Sequence, residues 1–187
     1  MKQTCGIFFG RFQHVHLSHQ KIIDQMREEC TKSIVLVGSC QSFGDSRNPF
    51  DVRLRIELLK TIYESTSDLT IGFMPDLNPI PKPESFKNIV LDGWDEWVMF
   101  FASTFCRDCI PTTIYGGPDF IKEYEKNFDR DKIDCRAIES NESSIRATDL
   151  RNFLIEDDKE RWKKFSDPRI HSYYDILREK MQFICQS

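Results

Sequence analysis

The chain has 187 residues, enough for one sizeable core, and we expect a single domain over residues 1–187. Its formal net charge of −4 excludes a global basic surface that would recruit nucleic acid, so a phosphate site would have to be a local cationic cluster. No apolar run approaches the roughly 20 residues of a membrane span, and the N-terminus "MKQTCGIFFGRF" turns polar too soon for a secretory signal, which favours a cytoplasmic protein.

Short apolar runs alternate with helical patterns along the chain. The runs predict strands at 5–10, 33–39, 69–75, 111–117 and 133–139. The helical patterns begin near Ser18 or His19 and near Asp51, and then cover 94–105, about 119–127, 147–154 and an amphipathic tail over about 157–187. This alternation predicts an α/β fold, a Rossmann-like doubly wound sheet of about five parallel strands with a helical C-terminal tail.

Seven cysteines are scattered along the chain, an odd number. Because no secretory signal is recognised, we expect reduced thiols and not a disulfide framework. Cys106 and Cys109 have the spacing of zinc ligands, but no second pair completes a tetrahedral set, so structural or incidental thiols are the favoured interpretation.

The stretch "GRFQHVHLSH" (10–19) leaves the first predicted strand at its carboxyl end and enters a helix. Ligands of such sheets bind at the carboxyl ends of strands, and the free N–H groups at a helix start favour an anion. His16 and His19 lie three positions apart, so both imidazoles can face that anion and donate to it. Two other interpretations of the histidine pair are simple packing and a zinc site. A zinc site would need at least one more ligand, and the sequence offers none at motif spacing.

Two further segments carry groups suited to phosphate. Arg47 in "SRNPF" follows the second predicted strand, and "IRATDLR" places Thr148 at a helix start with Arg151 one turn in. A hydroxyl at a helix start and a forked guanidinium both bind phosphate oxygens. Each alone would be an ordinary helix cap or surface arginine. Together with the histidines they predict one polyphosphate pocket.

These residues resemble the nucleotidyltransferase superfamily, and most closely the nicotinamide mononucleotide adenylyltransferases of the archaeal type. Four blocks carry the resemblance: "GIFFGRFQHVHLSH", "VGSCQSFGDSRNPFDVRLRIELL", "PDLN" followed by "WDEWV", and "SIRATDLRNFL". They run from residue 6 to about 154. The resemblance implies transfer of AMP from ATP to nicotinamide mononucleotide, which gives NAD and pyrophosphate.

The resemblance also implies roles for individual residues. The catalytic groups would be His16, His19, Arg11 and Arg151. The ATP site would comprise Gly10, Arg11, His16, His19, Arg47, Thr148 and Arg151. The mononucleotide site would comprise Gly38, Gln41, Asp76, Asn78 and Trp97, with Trp94 a less favoured ring and packing an equal interpretation of Trp97. Mg²⁺ would bind mainly through ATP phosphates with no protein metal site, and relatives of this type often form homo-oligomers.

Three positions differ from the superfamily pattern. His14 stands in place of a proline, Ser18 in place of a glycine, and Arg146 in place of a small hydroxyl residue. These positions keep open a non-catalytic nucleotide-binding regulatory module. A second alternative keeps the enzyme class and changes the acceptor, with adenylyl or cytidylyl transfer to nicotinic acid mononucleotide, FMN or phosphopantetheine. "PDLN" with Trp97 favours a pyridine nucleotide as acceptor, and the presence of both histidines, Arg47 and Arg151 favours an enzyme.

Overall fold

The computed structural model describes residues 4–64, 66–76, 94–126, 133–139 and 145–186. Its strands are β1 (Cys5–Gly10), β2 (Lys32–Val37), β3 (Leu69–Phe73), β4 (Thr113–Gly116) and β5 (Asp134–Ala137). Its helices are α1 (Leu17–Glu29), α2 (Val52–Ile62), α3 (Trp94–Phe105), α4 (Pro118–Tyr124), α5 (Ala147–Ile155), α6 (Lys159–Lys164), a 3-10 helix (Pro168–Tyr173) and α7 (Tyr174–Gln186). Within these ranges, no helix combines the length and apolarity needed to cross a bilayer.

The five strands form one parallel sheet in the order β3-β2-β1-β4-β5. The chain builds outward from β1 to β3 and then returns to place β4 on the other side of β1. The strand order therefore reverses between β1 and β4, and the carboxyl end of β1 lies at the switch point where such sheets bind ligands. This topology confirms the predicted doubly wound α/β fold.

Alternating strand residues fill two cores, one on each face of the sheet. Phe8 in β1 packs with the cluster that holds α1, α2 and the C-terminal helices. Its neighbours Ile7 and Phe9 pack with the cluster that holds α3 and α4. Helices thus cover both faces, which explains why the strand sequences are continuously apolar.

The predicted C-terminal helical tail consists of three short elements. Asp157 has a positive φ of 59° between α5 and α6, and Asp167 with Pro168 begins the 3-10 helix that leads into α7. Proline is favoured in the first turn of a helix because its missing N–H would lack a helical partner there. The tail packs on the same face as α1 and α2 and is part of that core.

The structure corrects the prediction that all cysteines are thiols. Cys5 in β1 and Cys109 after α3 form a disulfide with a Cα–Cα distance of 6.0 Å. They are 104 positions apart in sequence, and the parallel pairing of β1 with β4 brings them together, since the Thr112 N–H donates to the Cys5 carbonyl at 2.8 Å. Cys106 is a free thiol. Among the described residues, no group of three or more His, Cys, Asp or Glu side chains could hold a metal ion.

Candidate active site

Loops from three adjacent strands meet at the carboxyl end of the sheet. The Gly38 N–H after β2 donates to the Gly10 carbonyl at the end of β1, at 2.8 Å. The Ser39 hydroxyl, also after β2, donates to the Asp76 carboxylate after β3, at 2.7 Å. The structure therefore brings the predicted ATP-binding and mononucleotide-binding segments into one place.

His16 and His19 form the predicted pair at the start of α1. His16 is the residue immediately before the helix and is 5% exposed, and its ring centroid lies 3.8 Å from that of His19. The Phe12 ring packs against His19 at 4.8 Å between centroids. The Nδ1 atoms of both histidines are buried and make no hydrogen bond to the described part of the chain.

Burial keeps both imidazoles neutral. It lowers the pKa of His16 to about 4, and burial together with the nearby His16 lowers the pKa of His19 well below its ordinary value. A neutral imidazole carries one N–H donor and one acceptor nitrogen. The pair is therefore suited to donate hydrogen bonds to an anion without adding positive charge.

Arg151 on α5 reaches back to the loop that follows β1. Its Nη1 donates to the Gln13 carbonyl at 2.7 Å, and its Nη2 donates to the Thr148 hydroxyl at 3.1 Å. Thr148 is exposed in the first turn of α5, as its sequence pattern predicts. The bond to Gln13 places the start of α5 beside the loop that leads to His16, although Arg151 and Gln13 lie 138 positions apart in sequence.

The loop after β2 carries Arg47 and is folded by one aspartate. Asp45 accepts hydrogen bonds from the backbone N–H groups of Arg47 and Asn48, at 2.8 and 2.7 Å. The Asn48 side chain then lies 3.4 Å from Nη1 of Arg11. This local turn presents an exposed Arg47 on the same side as Arg11.

The guanidinium group of Arg11 therefore lies close enough to those of Arg47 and Arg151 for their like charges to repel. Burial and the charge of Arg47 lower the pKa of Arg11, while burial and the charge of Arg11 lower the pKa of Arg151. Asp45 offsets part of the repulsion at both residues. Repulsion among like charges means that a polyanion bound among them would relieve it. An otherwise acidic chain thus concentrates positive charge at the end of its sheet.

The predicted mononucleotide side is organised by Asp76. Its two carboxylate oxygens accept from the Ser39 hydroxyl at 2.7 Å and from Gln41 Nε2 at 2.8 Å. The Asp76 N–H faces Gln41 Oε1 at 3.3 Å. Gly38 lies beside this group through its bond to Gly10. Asn78 and the side chain of Trp94 lie outside the described residues.

Trp97 lies beneath this group of residues. It is 3% exposed, its ring packs edge-on against Phe101 with centroids 5.1 Å apart, and its indole N–H donates to the Pro75 carbonyl at 2.9 Å. The structure thus places the ring in the core of the α3 face, which is the packing position that the sequence allowed. Its link to the site is the bond to Pro75, the residue before Asp76.

Arg55 is a site residue that the sequence analysis did not identify. Its guanidinium is fully buried and donates to the carbonyls of Arg11 at 2.7 Å, Gly38 at 2.8 Å and Ser39 at 3.1 Å. Burial lowers its pKa to about 10, so it remains charged near neutral pH. Its position on the apolar stripe of α2, one turn before Leu58 and Leu59, was the available signal.

Gln13 and His14 also have roles that the sequence did not reveal. The Gln13 side-chain amide donates to the Phe50 carbonyl at 3.1 Å and accepts from the Phe50 N–H at 3.0 Å. His14 is fully buried, and its Nε2 accepts from the indole N–H of Trp162 at 2.8 Å. Of the three histidines in the stretch, His14 therefore belongs to the core.

The other two positions that differ from the superfamily pattern lie at helix starts. Ser18 is in the first turn of α1. Arg146 is exposed immediately before α5, and its N–H donates to the Asp149 carboxylate at 2.8 Å. Asp149 thereby satisfies one of the backbone donors that a helix start leaves free.

Comparison with known proteins places the chain in a family. Residues 7–153 match the model of the family described as cytidylyltransferase-like. The chain belongs to this family. Relatives of this cytidylyltransferase-like chain include the nicotinamide-nucleotide adenylyltransferases of Saccharolobus solfataricus, 28% identical over 71% of this chain and 76% of that protein, and of Pyrococcus horikoshii, 31% identical over 54% and 49%. The chain is therefore a nucleotidyltransferase.

Solved structures share the fold of this cytidylyltransferase-like chain. A bifunctional NMN adenylyltransferase/ADP ribose pyrophosphatase from Francisella tularensis, complexed with AMP and an Mn ion, superposes with a TM-score of 0.73 at 16% identity, over 98% of this chain and 52% of that one. A nicotinic acid mononucleotide adenylyltransferase from Plasmodium falciparum superposes with a TM-score of 0.63 at 14% identity, over 97% and 98%. At these identities the likeness shows the fold.

Proposed function

We propose that this nucleotidyltransferase transfers AMP from ATP to nicotinamide mononucleotide, forming NAD and pyrophosphate. The observation that carries the proposal is the convergence of the His16–His19 pair with Arg11 and Arg151 at one end of the sheet. The nicotinamide-nucleotide adenylyltransferases among its relatives support this choice of reaction.

The reaction needs no general base. The 5′-phosphate of the mononucleotide is anionic near neutral pH, and one of its oxygens attacks the α-phosphorus of ATP. A new P–O bond forms there while the bond from the α-phosphorus to the bridging oxygen breaks, and pyrophosphate leaves with the electron pair. Catalysis then depends on alignment of the two phosphates and on stabilisation of the charge that develops on the leaving group.

The site residues divide these tasks between them. Burial keeps His16 and His19 neutral, and each neutral ring keeps one N–H that donates a hydrogen bond to a phosphate oxygen. Arg11, Arg47 and Arg151 supply the positive charge, and a planar guanidinium holds two phosphate oxygens at once. Thr148 and the free N–H groups at the start of α5 complete the phosphate site.

A divalent ion fits this donor set when it arrives with ATP. The groups at the site are mainly imidazoles and guanidiniums, which bind phosphate, while both oxygens of Asp76 already accept hydrogen bonds. Mg²⁺ keeps several waters and is often bound by substrate phosphates with few protein ligands. It would supply charge neutralisation of the triphosphate. The Mn ion in the Francisella structure is consistent with a divalent cofactor.

The mononucleotide is proposed to lie against the loops after β2 and β3. Gly38, Gln41 and Asp76 would contact it, with Asn78 following in sequence. The bonds from Ser39 and Gln41 hold the Asp76 carboxylate in place before any ligand arrives. Because its ring is covered, Trp97 would act through the position of Pro75 and not as a stacking surface.

The acceptor test uses purified protein with ATP and Mg²⁺, and offers one acceptor at a time. We expect nicotinamide mononucleotide to give NAD and pyrophosphate with the highest kcat/KM. Nicotinic acid mononucleotide is the first competitor, since one structural neighbour bears that activity in its name; FMN and phosphopantetheine complete the set. A higher kcat/KM with another acceptor would replace the proposed one, and nucleotide binding without pyrophosphate release would indicate a regulatory module.

A further inference from the structure

The C-terminal tail contacts the phosphate loop through Trp162. This residue lies beyond residues 7–153, the part that the family match covers. Trp162 and His14 are both fully buried, and the indole N–H lies 2.8 Å from His14 Nε2. A buried polar bond between residues 148 positions apart ties α6 to the loop that ends at His16.

This bond fixes the tautomer of His14. An indole nitrogen only donates, so His14 Nε2 must be the acceptor and Nδ1 must carry the proton. The protonated Nδ1 of His14 donates a hydrogen bond to the Val15 carbonyl, at 2.6 Å. Both ring nitrogens are therefore satisfied, and the Val15 peptide, which leads directly into His16, is held by the same ring.

A second bond from the tail holds the other side of His16. The Leu17 N–H donates to the carbonyl of Phe165, the residue immediately after α6, at 3.1 Å. The tail is thus hydrogen-bonded to the loop at His14 and at Leu17, one on each side of His16. The N–H groups in the first turn of a helix have no partner within the helix, and a capping side chain or water usually bonds them. For Leu17 the partner is instead Phe165, from a distant segment of the chain.

Trp162 is itself rigidly placed. Its ring packs edge-on against Tyr174 with centroids 5.2 Å apart, and its carbonyl accepts from the Ser166 hydroxyl at 2.9 Å. The Tyr174 hydroxyl donates elsewhere, to the Asp157 carboxylate at 3.0 Å, so it is the Tyr174 ring that holds Trp162. The donor that reaches His14 is therefore fixed by packing, as a precise site requires of its supporting residues.

We propose that Trp162 is a positioning residue of the transferase site, which orients the His16–His19 pair through its hydrogen bond to His14. This inference rests on the proposed function of the histidine pair. It assigns to the tail a role in placing the phosphate donors, and it gives His14 a role of its own at a position where the superfamily pattern has a proline.

The kinetic test is a double-mutant cycle. Trp162→Phe keeps the aromatic packing and removes the donor, and we expect kcat to fall about tenfold with a smaller change in KM for ATP. In a His14→Pro background no acceptor remains, so Trp162→Phe should cost nothing further. Tyr174→Phe is the matched control, because it removes a polar bond from the same cluster without touching His14, and its kcat should equal that of the wild type.

The proposal would be overturned if Trp162→Phe lowered kcat by the same factor in the wild type and in His14→Pro. It would also be overturned if Trp162→Phe and Tyr174→Phe lowered kcat equally. Imidazole ¹⁵N spectra of the free protein, assigned with His14→Pro, give a readout that needs no activity. We expect a protonated Nδ1 on His14, and His16 and His19 signals that shift in Trp162→Phe but not in Tyr174→Phe. Unshifted His16 and His19 signals in folded Trp162→Phe would refute the proposal. An Nε2-protonated His14 in the wild-type protein would refute it however well the Trp162→Phe variant folds.

These readouts separate the two proposals. A wild-type protein that releases no pyrophosphate from ATP with any acceptor would refute the proposed function alone. The tautomer of His14 and the response of the His16 signal would still decide whether Trp162 positions the loop.

Discussion

The stretch from Gly10 to His19 shows how neighbouring residues of one type acquire different roles. His14 has both ring nitrogens bonded and lies in the core, whereas the buried Nδ1 atoms of His16 and His19 have no partner in the described chain. A buried polar group without a partner is costly, and such groups concentrate at functional sites. The arrangement therefore favours His16 and His19 as ligand-binding groups.

His19→Ala should lower kcat on the order of 10²-fold with a smaller change in KM for ATP, the result expected when one preorganised donor is lost. His19→Asn keeps an N–H donor and should recover part of the loss. Steady-state kinetics with ATP varied at saturating acceptor would measure both. An unchanged kcat in His19→Ala would remove His19 from the chemistry.

Trp97→Ala should raise KM for the mononucleotide and leave the affinity for ATP unchanged, because the indole N–H holds the Pro75 carbonyl next to Asp76. Phe101→Leu is a suitable control, since Phe101 packs against Trp97 but has no part in that bond. Kinetics with each substrate varied in turn would show the difference. Equal effects on both substrates would assign Trp97 to packing alone.

At the scale of the elements, the site is assembled by bonds that join strand ends to helices. Arg55 on α2 joins the loops after β1 and β2, and Arg151 on α5 joins its own helix to the loop after β1. Three of these acceptors are backbone carbonyls of Arg11, Gly38 and Gln13. Side-chain hydrogen bonds thus hold the loops in place, as backbone hydrogen bonds hold the strands of the sheet.

Arg55→Lys should lower the free energy of unfolding by about 2–3 kcal/mol, because the donors of an ammonium lie on one atom and cannot reach the separate carbonyls that the planar, forked guanidinium reaches together. It should also raise KM for both nucleotides, since the two loops carry residues of both sites. Arg53→Lys, an exposed arginine two positions earlier on α2, is the control and should change neither quantity. Urea denaturation and steady-state kinetics provide the measurements; wild-type stability in Arg55→Lys would contradict this account.

The sequence predicted the elements better than the bonds between them. The bounds predicted for β1 match the observed ones. The strand predicted at 33–39 ends earlier, at Val37, because the backbone turns at Ser39, which has a φ of 48° and whose hydroxyl bonds to Asp76. Periodicity reports which face of an element is apolar. It does not report which distant group a buried polar side chain meets, so the partners of Arg55 and His14 and the Cys5–Cys109 disulfide were found only in the structure.

At the scale of the whole molecule, three histidines with lowered pKa values make stability depend on pH. Burial lowers the pKa of His14 to about 3, of His16 to about 4, and of His19 well below its ordinary value. The unfolded chain takes up protons on these groups as pH falls below about 6.5, and the folded chain does not. Their contribution is therefore complete above that pH and is lost progressively as pH falls toward 4.

The free energy of unfolding should accordingly fall between pH 6.5 and 5 with a slope that approaches three protons, about 4 kcal/mol per pH unit. Unfolded carboxylates titrate mainly below this window. Urea denaturation at half-unit pH intervals would give the slope, and His14→Pro should reduce it by about one proton. A flat profile over this range would show that the histidines take up protons in the folded state.

The buried guanidinium of Arg55 has an electrostatic consequence beyond holding the loops together. It draws the carbonyl oxygens of Arg11 and Gly38 toward the core, and in a trans peptide the N–H points opposite to the carbonyl. The Phe12 and Ser39 amide dipoles are thus turned with their positive ends away from Arg55, and we expect these positive ends to face the phosphate that we propose binds at the end of the sheet. This part of the field is built during folding, so it requires no reorganisation when the charge on pyrophosphate develops.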